Sequence, residues 1–198
     1  MDKLLDQYLA ILLEVNAHTN LTAIRDPEEI RVRHFEDSQN LLKAADFANK
    51  TVLDVGSGAG FPGLVLKIAQ PSISLSLLDA TGKKVRFLRR VCDELGLEGV
   101  TCLHGRAEDF MAEARRRKCP ADLLLSRAFL PWQKVLALAG ENLAPRGLVL
   151  CFAQKEPPQS PPPPWRLLGA RRYSPSAASP EKPRWFWVFE LKPAPGNA

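Results

Sequence analysis

The 198-residue chain is 45% hydrophobic and 25% charged, enough apolar material to bury a core within one domain. No apolar run approaches the ~20 residues of a membrane span. Acidic residues stand near the N-terminus where a secretory leader would be basic and then apolar, so a soluble, cytoplasmic protein is expected. Cysteines at 92, 102, 119 and 151 make no Cys-x-x-Cys pair, and the three histidines have no metal spacing; reduced thiols and no metal are expected.

Leu4, Leu5, Tyr8, Leu9, Leu12 and Val15 recur at helical spacing and predict an N-terminal amphipathic helix. Asp26-Pro27-Glu28-Glu29 reads as a helix start, with Asp26 as N-cap, Pro27 in the first turn and Glu29 at the capping-box position. This helix is expected to run to about Phe47. Then follow strand 51–55, helix 62–69, strand 73–79, helix 82–95, strand 100–104, strand 122–126, helix 131–143 and strand 148–154. Repeated βα units imply an α/β fold, a mostly parallel sheet with helices on both faces.

The last segment departs from this alternation. Six prolines between Pro157 and Pro164 demand an extended loop. Trp165–Tyr173 and Arg184–Lys192 read as an antiparallel hairpin closing the sheet edge. Trp185, Trp187 and Phe189 alternate with Phe186 and Val188, so both hairpin faces are apolar; they suit core packing or an aromatic stacking surface for nucleic acid. The expected organisation is one domain over 1–198: a helical cap 1–47, a core 48–155, the proline loop 156–164 and the hairpin 165–192.

Val52 to Gly63 is a strand running into a glycine-crowded turn. Glycines suit a backbone that turns tightly and approaches a ligand closely. Gly58-Ala59-Gly60-Phe61-Pro62-Gly63 satisfies the dinucleotide pattern G-x-G-x-x-G. Asp54 adds an acid inside the strand, giving Asp-x-Gly-x-Gly-x-Gly with Gly56, Gly58 and Gly60, the arrangement of S-adenosylmethionine (SAM) methyltransferases, whose loop wraps the methionine part of the cofactor. The reversed last strand also favours a methyltransferase over a dinucleotide enzyme. Asp79, ending the next strand, can accept from a ribose diol or serve as a helix N-cap.

The net charge of +5 is uneven. Residues 1–50 carry 6 Lys/Arg against 9 Asp/Glu, the remainder 21 against 13. Basic runs at Lys83–Arg90, Arg115–Lys118 and Arg166–Arg184 suit a phosphate backbone or a solvated helix face. His34, Asp37 and Ser38, at i, i+3 and i+4, share a helix face. They could wall the cofactor, contact a target base, or tie this helix to the Asn20-Leu21-Thr22 turn.

Asn16-Ala17-His18-Thr19-Asn20-Leu21-Thr22, Arg33-His34-Phe35-Glu36-Asp37-Ser38, the glycine loop, Leu77 to Leu88 and Ser126-Arg127-Ala128-Phe129 occur in this order. From about residue 14 to 155 the chain resembles the RsmG, or GidB, family of small-subunit rRNA guanine-N7 methyltransferases. The resemblance implies a Rossmann-like class I SAM methyltransferase fold. It also implies methylation of N7 of a guanine in the decoding region of 16S rRNA, on free RNA or the small ribosomal subunit; for a chain of this size a monomer is the simplest expectation.

It implies SAM contacts at Gly56 and Phe61, ribose contact at Asp79, the adenine edge at Ala107 and Glu108, and Arg127 beside the transferred methyl. Asn20, His34, Arg106 and Lys155 match the family's substrate face. The N-terminus is shorter than the family pattern by about one helical segment, and Glu156 stands where Gly is usual. A SAM enzyme of another substrate, a noncatalytic RNA-binding relative and an NAD enzyme are the alternatives.

Chemistry limits the mechanism. Guanine N7 has an in-plane lone pair and no proton, so it can attack a sulfonium methyl without a general base. His34 and Arg127 are therefore expected to position rather than exchange protons. Arg127 should hold O6, a phosphate or the cofactor carboxylate, or else form a structural ion pair at the strand end.

Overall fold

The computed structural model describes residues 1–117, 120–140, 142–153, 155–173 and 184–192, with the backbone alone for 114–117. Lys118, Cys119 and the hairpin loop 174–183 lie outside the described residues. Five parallel strands alternate with helices: β1 Thr51–Val55, β2 Ser74–Asp79, β3 Val100–His104, β4 Ala121–Ser126 and β5 Leu143–Ala153. The hairpin β6 Trp165–Tyr173 and β7 Arg184–Leu191 completes a seven-stranded sheet in the order β3-β2-β1-β4-β5-β7-β6, with β7 antiparallel to both neighbours. No described helix is long and apolar enough to cross a membrane.

Alternation along the strands divides the core between the two faces. Val52, Leu75, Leu77, Leu125, Phe186 and Val188 pack on one side. Leu53, Val55, Leu124, Val149, Trp187 and Phe189 pack on the other. The hairpin aromatics are thus core residues on both faces, and the first of the two sequence readings holds for them.

Helix α1, Asp2–Thr19, buries Leu5, Tyr8, Leu9, Ile11 and Leu12 and stops where Asn20 turns left-handed at φ 50°. The next helical run, α2, covers 27–43. Asp26 caps it by accepting from the Glu29 N–H at 2.8 Å, as its sequence predicts. Arg31–Glu36 is wound as a π-helix, and the run ends in a 3-10 turn at Asn40–Lys43, short of the expected Phe47. Phe47 still reaches the core from the following turn, so its apolar side chain marks a buried site and not a helical one.

The remaining helices are α3 Gly63–Ala69, α4 Gly82–Leu95, α5 Ala107–Arg117 and α6 Trp132–Ala139. No helix is assigned from the sequence between strands 100–104 and 122–126, although Glu108 also reads as a helix-start charge; α5 fills that interval, with Ala107, Phe110 and Met111 as its apolar side and Glu108 in its first turn. Helix α6 ends before residue 143, because Leu143 is already paired beside Ala121; β5 then shifts register and resumes at Leu148 opposite Leu123.

Some of the basic residues are engaged in ion pairs at the surface. Arg90 on α4 makes a two-point contact with Glu14 on α1, both distances 2.8 Å, and also binds Glu94. Arg166 pairs with Glu190 across the hairpin. Lys83, Arg86, Arg171 and Arg172 remain exposed.

The Tyr8 hydroxyl, fully buried, donates to the carbonyl of Ala59 in the glycine loop and so joins α1 to the turn after β1. Its ring stacks with Phe35 and Phe87 and tilts against Phe61. Tyr8→Phe keeps the rings and leaves that carbonyl unpaired; urea unfolding should show a loss of about 1 to 2 kcal/mol.

Candidate functional site at the carboxyl end of the sheet

The turn after β1 is held by its own backbone and by two carboxylates. Gly56, Gly58 and Gly60 all have positive φ (71°, 60° and 90°). Gly56 has a second requirement: a Cβ there would lie 2.4 Å from the Phe129 ring. The N–H groups of Gly56 and Ser57 donate to the Leu78 carbonyl, binding the loop to the end of β2. Asp79 accepts from Gly58 N–H at 3.0 Å through one oxygen and from Thr81 N–H at 2.8 Å through the other.

These groups border a cavity of about 260 Å³, lined by Gly56, Asp79, Thr81, Lys84, Ala107 and Phe129 among others. Asp79 is both a wall of the cavity and a local cap, so its two sequence readings coexist. Each carboxylate oxygen retains a lone pair after its amide bond. Glu108 and Arg106 are exposed beside Ala107, at the start of α5. Phe129 and Lys84 escaped the residue-by-residue reading, although Phe129 belongs to the Ser-Arg-Ala-Phe element.

Asp54 on β1, and Gly60 and Phe61 at the far end of the loop, do not line this cavity. Asp54 is buried and accepts from Gly63 N–H at 2.9 Å, stapling the first turn of α3 to β1. Burial pushes its carboxyl up to about 7, although the Gly63 N–H and the charge of Arg127 oppose the shift. Phe61 stacks on His34 with ring centroids 4.4 Å apart and an angle of 15°.

His34 and Arg127 belong to a buried polar cluster. Arg127 Nη2 donates to the Arg33 carbonyl at 2.7 Å, lies 3.1 Å from His34 Nδ1 and 3.2 Å from Asp37 Oδ2. Arg184, from β7, reaches the same Asp37 oxygen at 2.6 Å. A guanidinium can only donate, so Nδ1 of His34 is the unprotonated nitrogen. Its Nε2–H therefore faces Thr22 Oγ1, 3.1 Å away. Burial and the charges of Arg127 and Arg184 lower the His34 pKa to about 3.

The structure thus displays the network reading of His34, Asp37 and Ser38, tied to the turn at Thr22. Ser38 Oγ completes it by donating to the His34 carbonyl. Asn20 is exposed and accepts from Arg25. The buried anchor of that turn is Asn16, whose Oδ1 accepts from the N–H groups of Leu21 and Thr22. Arg184 had no signal in the sequence, because it meets Asp37 across 147 positions. Arg127 Nη1 is buried and has no hydrogen-bond partner among the described residues.

Beyond Arg127, Ala128 adopts φ 51° and borders the first cavity and a second of similar volume, about 260 Å³. Trp132, Phe152, Trp187 and Lys155 lie around the second. Lys155 is therefore near the chemistry of the first cavity but not on its wall.

Acid titration should separate the two buried groups. His34, with a lowered folded pKa, contributes stability that is complete above about 6.5 and lost as pH falls toward about 3. Asp54, with a raised folded pKa, contributes stability that is complete below about 3.8 and lost as pH rises through about 7. Between pH 4 and 6.5 they oppose one another. Melting temperatures across this range should fall more steeply on acidification in Asp54→Asn than in the wild type, and less steeply in His34→Gln.

Comparison with known proteins agrees with this architecture. The model of the family described as rRNA small subunit methyltransferase G (GidB) matches residues 1–158. The chain is 43% identical over 152 residues to ribosomal RNA small subunit methyltransferase G of Myxococcus xanthus, covering 76% of this chain and 68% of that protein. It is 48% identical over 114 residues to the protein of that name from Fusobacterium nucleatum, covering 56% and 48%. The chain spans roughly half to two thirds of the length of such relatives.

Among solved structures, TrmN from Thermus thermophilus superposes with a TM-score of 0.58 at 22% identity, over 78% of this chain and 48% of that one. MtNAS in complex with S-adenosylmethionine superposes with 0.66 at 13% identity, over 96% and 73%. These likenesses establish the fold, a SAM-methyltransferase type of α/β sheet. The match over residues 1–158 establishes the family: the chain belongs to the rRNA small subunit methyltransferase G family.

Proposed function

We propose that the protein is a SAM-dependent methyltransferase that modifies N7 of a guanine in the decoding region of 16S rRNA. The observation that carries this reading is Asp79: two backbone amides hold its carboxylate at the mouth of a glycine-loop cavity, with lone pairs left for a ribose diol. The reversed strand β7 and the family membership favour SAM over a dinucleotide.

The residues present fit that cofactor. Asp79 would take the ribose hydroxyls, Ala107 the adenine edge, and Gly56 with Phe129 the neighbourhood of the methionine part. Gly58, Gly60, Phe61 and Asp54 hold the loop in shape. Glu108, exposed beside Ala107, would reach the adenine amino group. When bound, SAM supplies an electrophilic methyl carbon on a cationic sulfur.

The protein's own contribution is positional. N7 carries no proton to remove, and His34 has its Nδ1 lone pair committed to Arg127, so neither chemistry nor geometry calls for a general base here. Alignment of N7, methyl carbon and sulfur in line lowers the barrier by up to ~7 to 11 kcal/mol. Arg127 and His34 serve this alignment from behind the loop, through Phe61. The substrate is 16S rRNA or the small subunit, met by a cytoplasmic monomer without a metal. The exposed Lys83 and Arg86 on α4 and the exposed Arg171 and Arg172 on edge strand β6 stand toward opposite edges of the sheet, and each pair would meet a phosphate backbone, as Arg106 and Asn20 would meet polar groups of the RNA.

Purified protein incubated with methyl-labelled SAM and small subunits lacking N7 methylation should label one guanine, mapped by strand cleavage at N7-methylguanosine. SAM binding without label in subunits or free rRNA would reject the substrate, and no SAM binding would reject the enzyme class. Asp79→Asn should weaken SAM binding about tenfold or more, read by calorimetry.

A further inference from the structure

Strand β4 stops at Ser126, opposite Cys151. Strand β5 continues through Phe152 and Ala153, which pair only with Phe186 and Trp185 of β7. A notch is therefore left on the β4 side of β5, at the carboxyl end of the sheet where α/β proteins bind ligands. The second cavity occupies it.

Its walls have a particular chemistry. Trp132 is half-buried, stacks on Phe189 at 5.6 Å and 11°, and stands edge-on to Trp187. The Phe152 ring turns to the opposite face of the sheet, between the Arg127 guanidinium, 5.2 Å from its ring centre, and Phe186, so Phe152 borders the notch only as the end of β5. Exposed Lys155 is the one charged residue of the lining. Rings held by their neighbours, with a cation at the rim, match a flat heterocycle attached to a phosphate. The volume of about 260 Å³ suits one such group and excludes a helix or strand of a partner protein.

We infer that this cavity receives the target nucleobase, splayed out of its stack, with Trp132 as its stacking platform and Lys155 on the adjoining phosphate. The inference rests on the methyltransferase reading, and Ala128 supplies the connection: it lines both cavities, so a base in the second adjoins the contents of the first. Its left-handed φ of 51° turns the chain between the two. The aromatic pair Trp132 and Trp187 thereby serves the core on one side and the substrate on the other.

The test uses the full chain, methyl-labelled SAM and unmethylated small subunits. Trp132→Ala, assayed below its own melting temperature, which the lost packing on Phe189 lowers, should lower kcat/KM about tenfold with SAM affinity close to wild type, and Trp132→Phe should recover most of the loss. Lys155→Ala should raise KM and flatten its salt dependence while kcat holds. Wild-type kcat/KM in Trp132→Ala, or a parallel loss of SAM affinity, overturns the base site and leaves the proposed function standing. If wild-type protein labels no RNA, the functional reading fails separately, and guanosine 5′-monophosphate is titrated against protein loaded with S-adenosylhomocysteine. Tryptophan quenching that disappears in Trp132→Phe supports the base site; no quenching overturns it.

Discussion

One carboxylate, Asp37, receives guanidinium groups from the centre of the sheet and from the C-terminal hairpin. Arg127 comes from the end of β4 and Arg184 from β7, and both reach the same oxygen of a side chain with no exposed surface. Removing one partner of a buried ion pair typically costs about 3 to 5 kcal/mol, because the charge left behind is neither solvated nor matched. The helical cap, the sheet centre and the C-terminal hairpin are therefore joined at a point where none can shift alone.

The neighbouring geometry depends on that point. Burial, and then the charges of Arg127 and Arg184, keep His34 neutral, and the neutral ring can stack flat on Phe61 beside Thr22. Phe61 in turn belongs to the glycine loop, which Tyr8 holds from the opposite side. The π segment at Arg31–Glu36 lies where α2 delivers His34 to this network, consistent with the frequent placement of such segments near functional sites. A site that works by alignment needs this kind of support: the residues that touch ligand are few, and those that hold them are many.

The division of labour also explains why the residues expected at the site scatter in depth. Gly56, Asp79 and Ala107 reach the first cavity, Lys155 the second, and Arg127, His34, Asp54 and Phe61 stand behind the wall. Spacing along the chain does not distinguish a wall from its buttress, because both require particular residue types. Asp54, inside β1, and Asp79, ending β2, illustrate this: one binds the amide of Gly63 inside the fold and the other lines the cavity.

Local chemistry made much of the molecule legible from the residues alone. Helical and alternating periodicity located α1, α4 and the parallel strands, and Asp26-Pro27 marked the start of α2. The acids and glycines between Val52 and Asp79 announced a cofactor loop, because close backbone approach leaves no room for a Cβ. Three things required the tertiary structure. Helix α5 is amphipathic but predominantly charged, and only its packing through Ala107, Phe110 and Met111 shows that the segment is a helix of the core. The pairing of Arg184 with Asp37 spans 147 positions and follows from the reversed hairpin. The aromatic notch at Trp132, Phe152 and Trp187 exists because β5 outruns β4, a difference in strand length that appears only once the strands are aligned side by side.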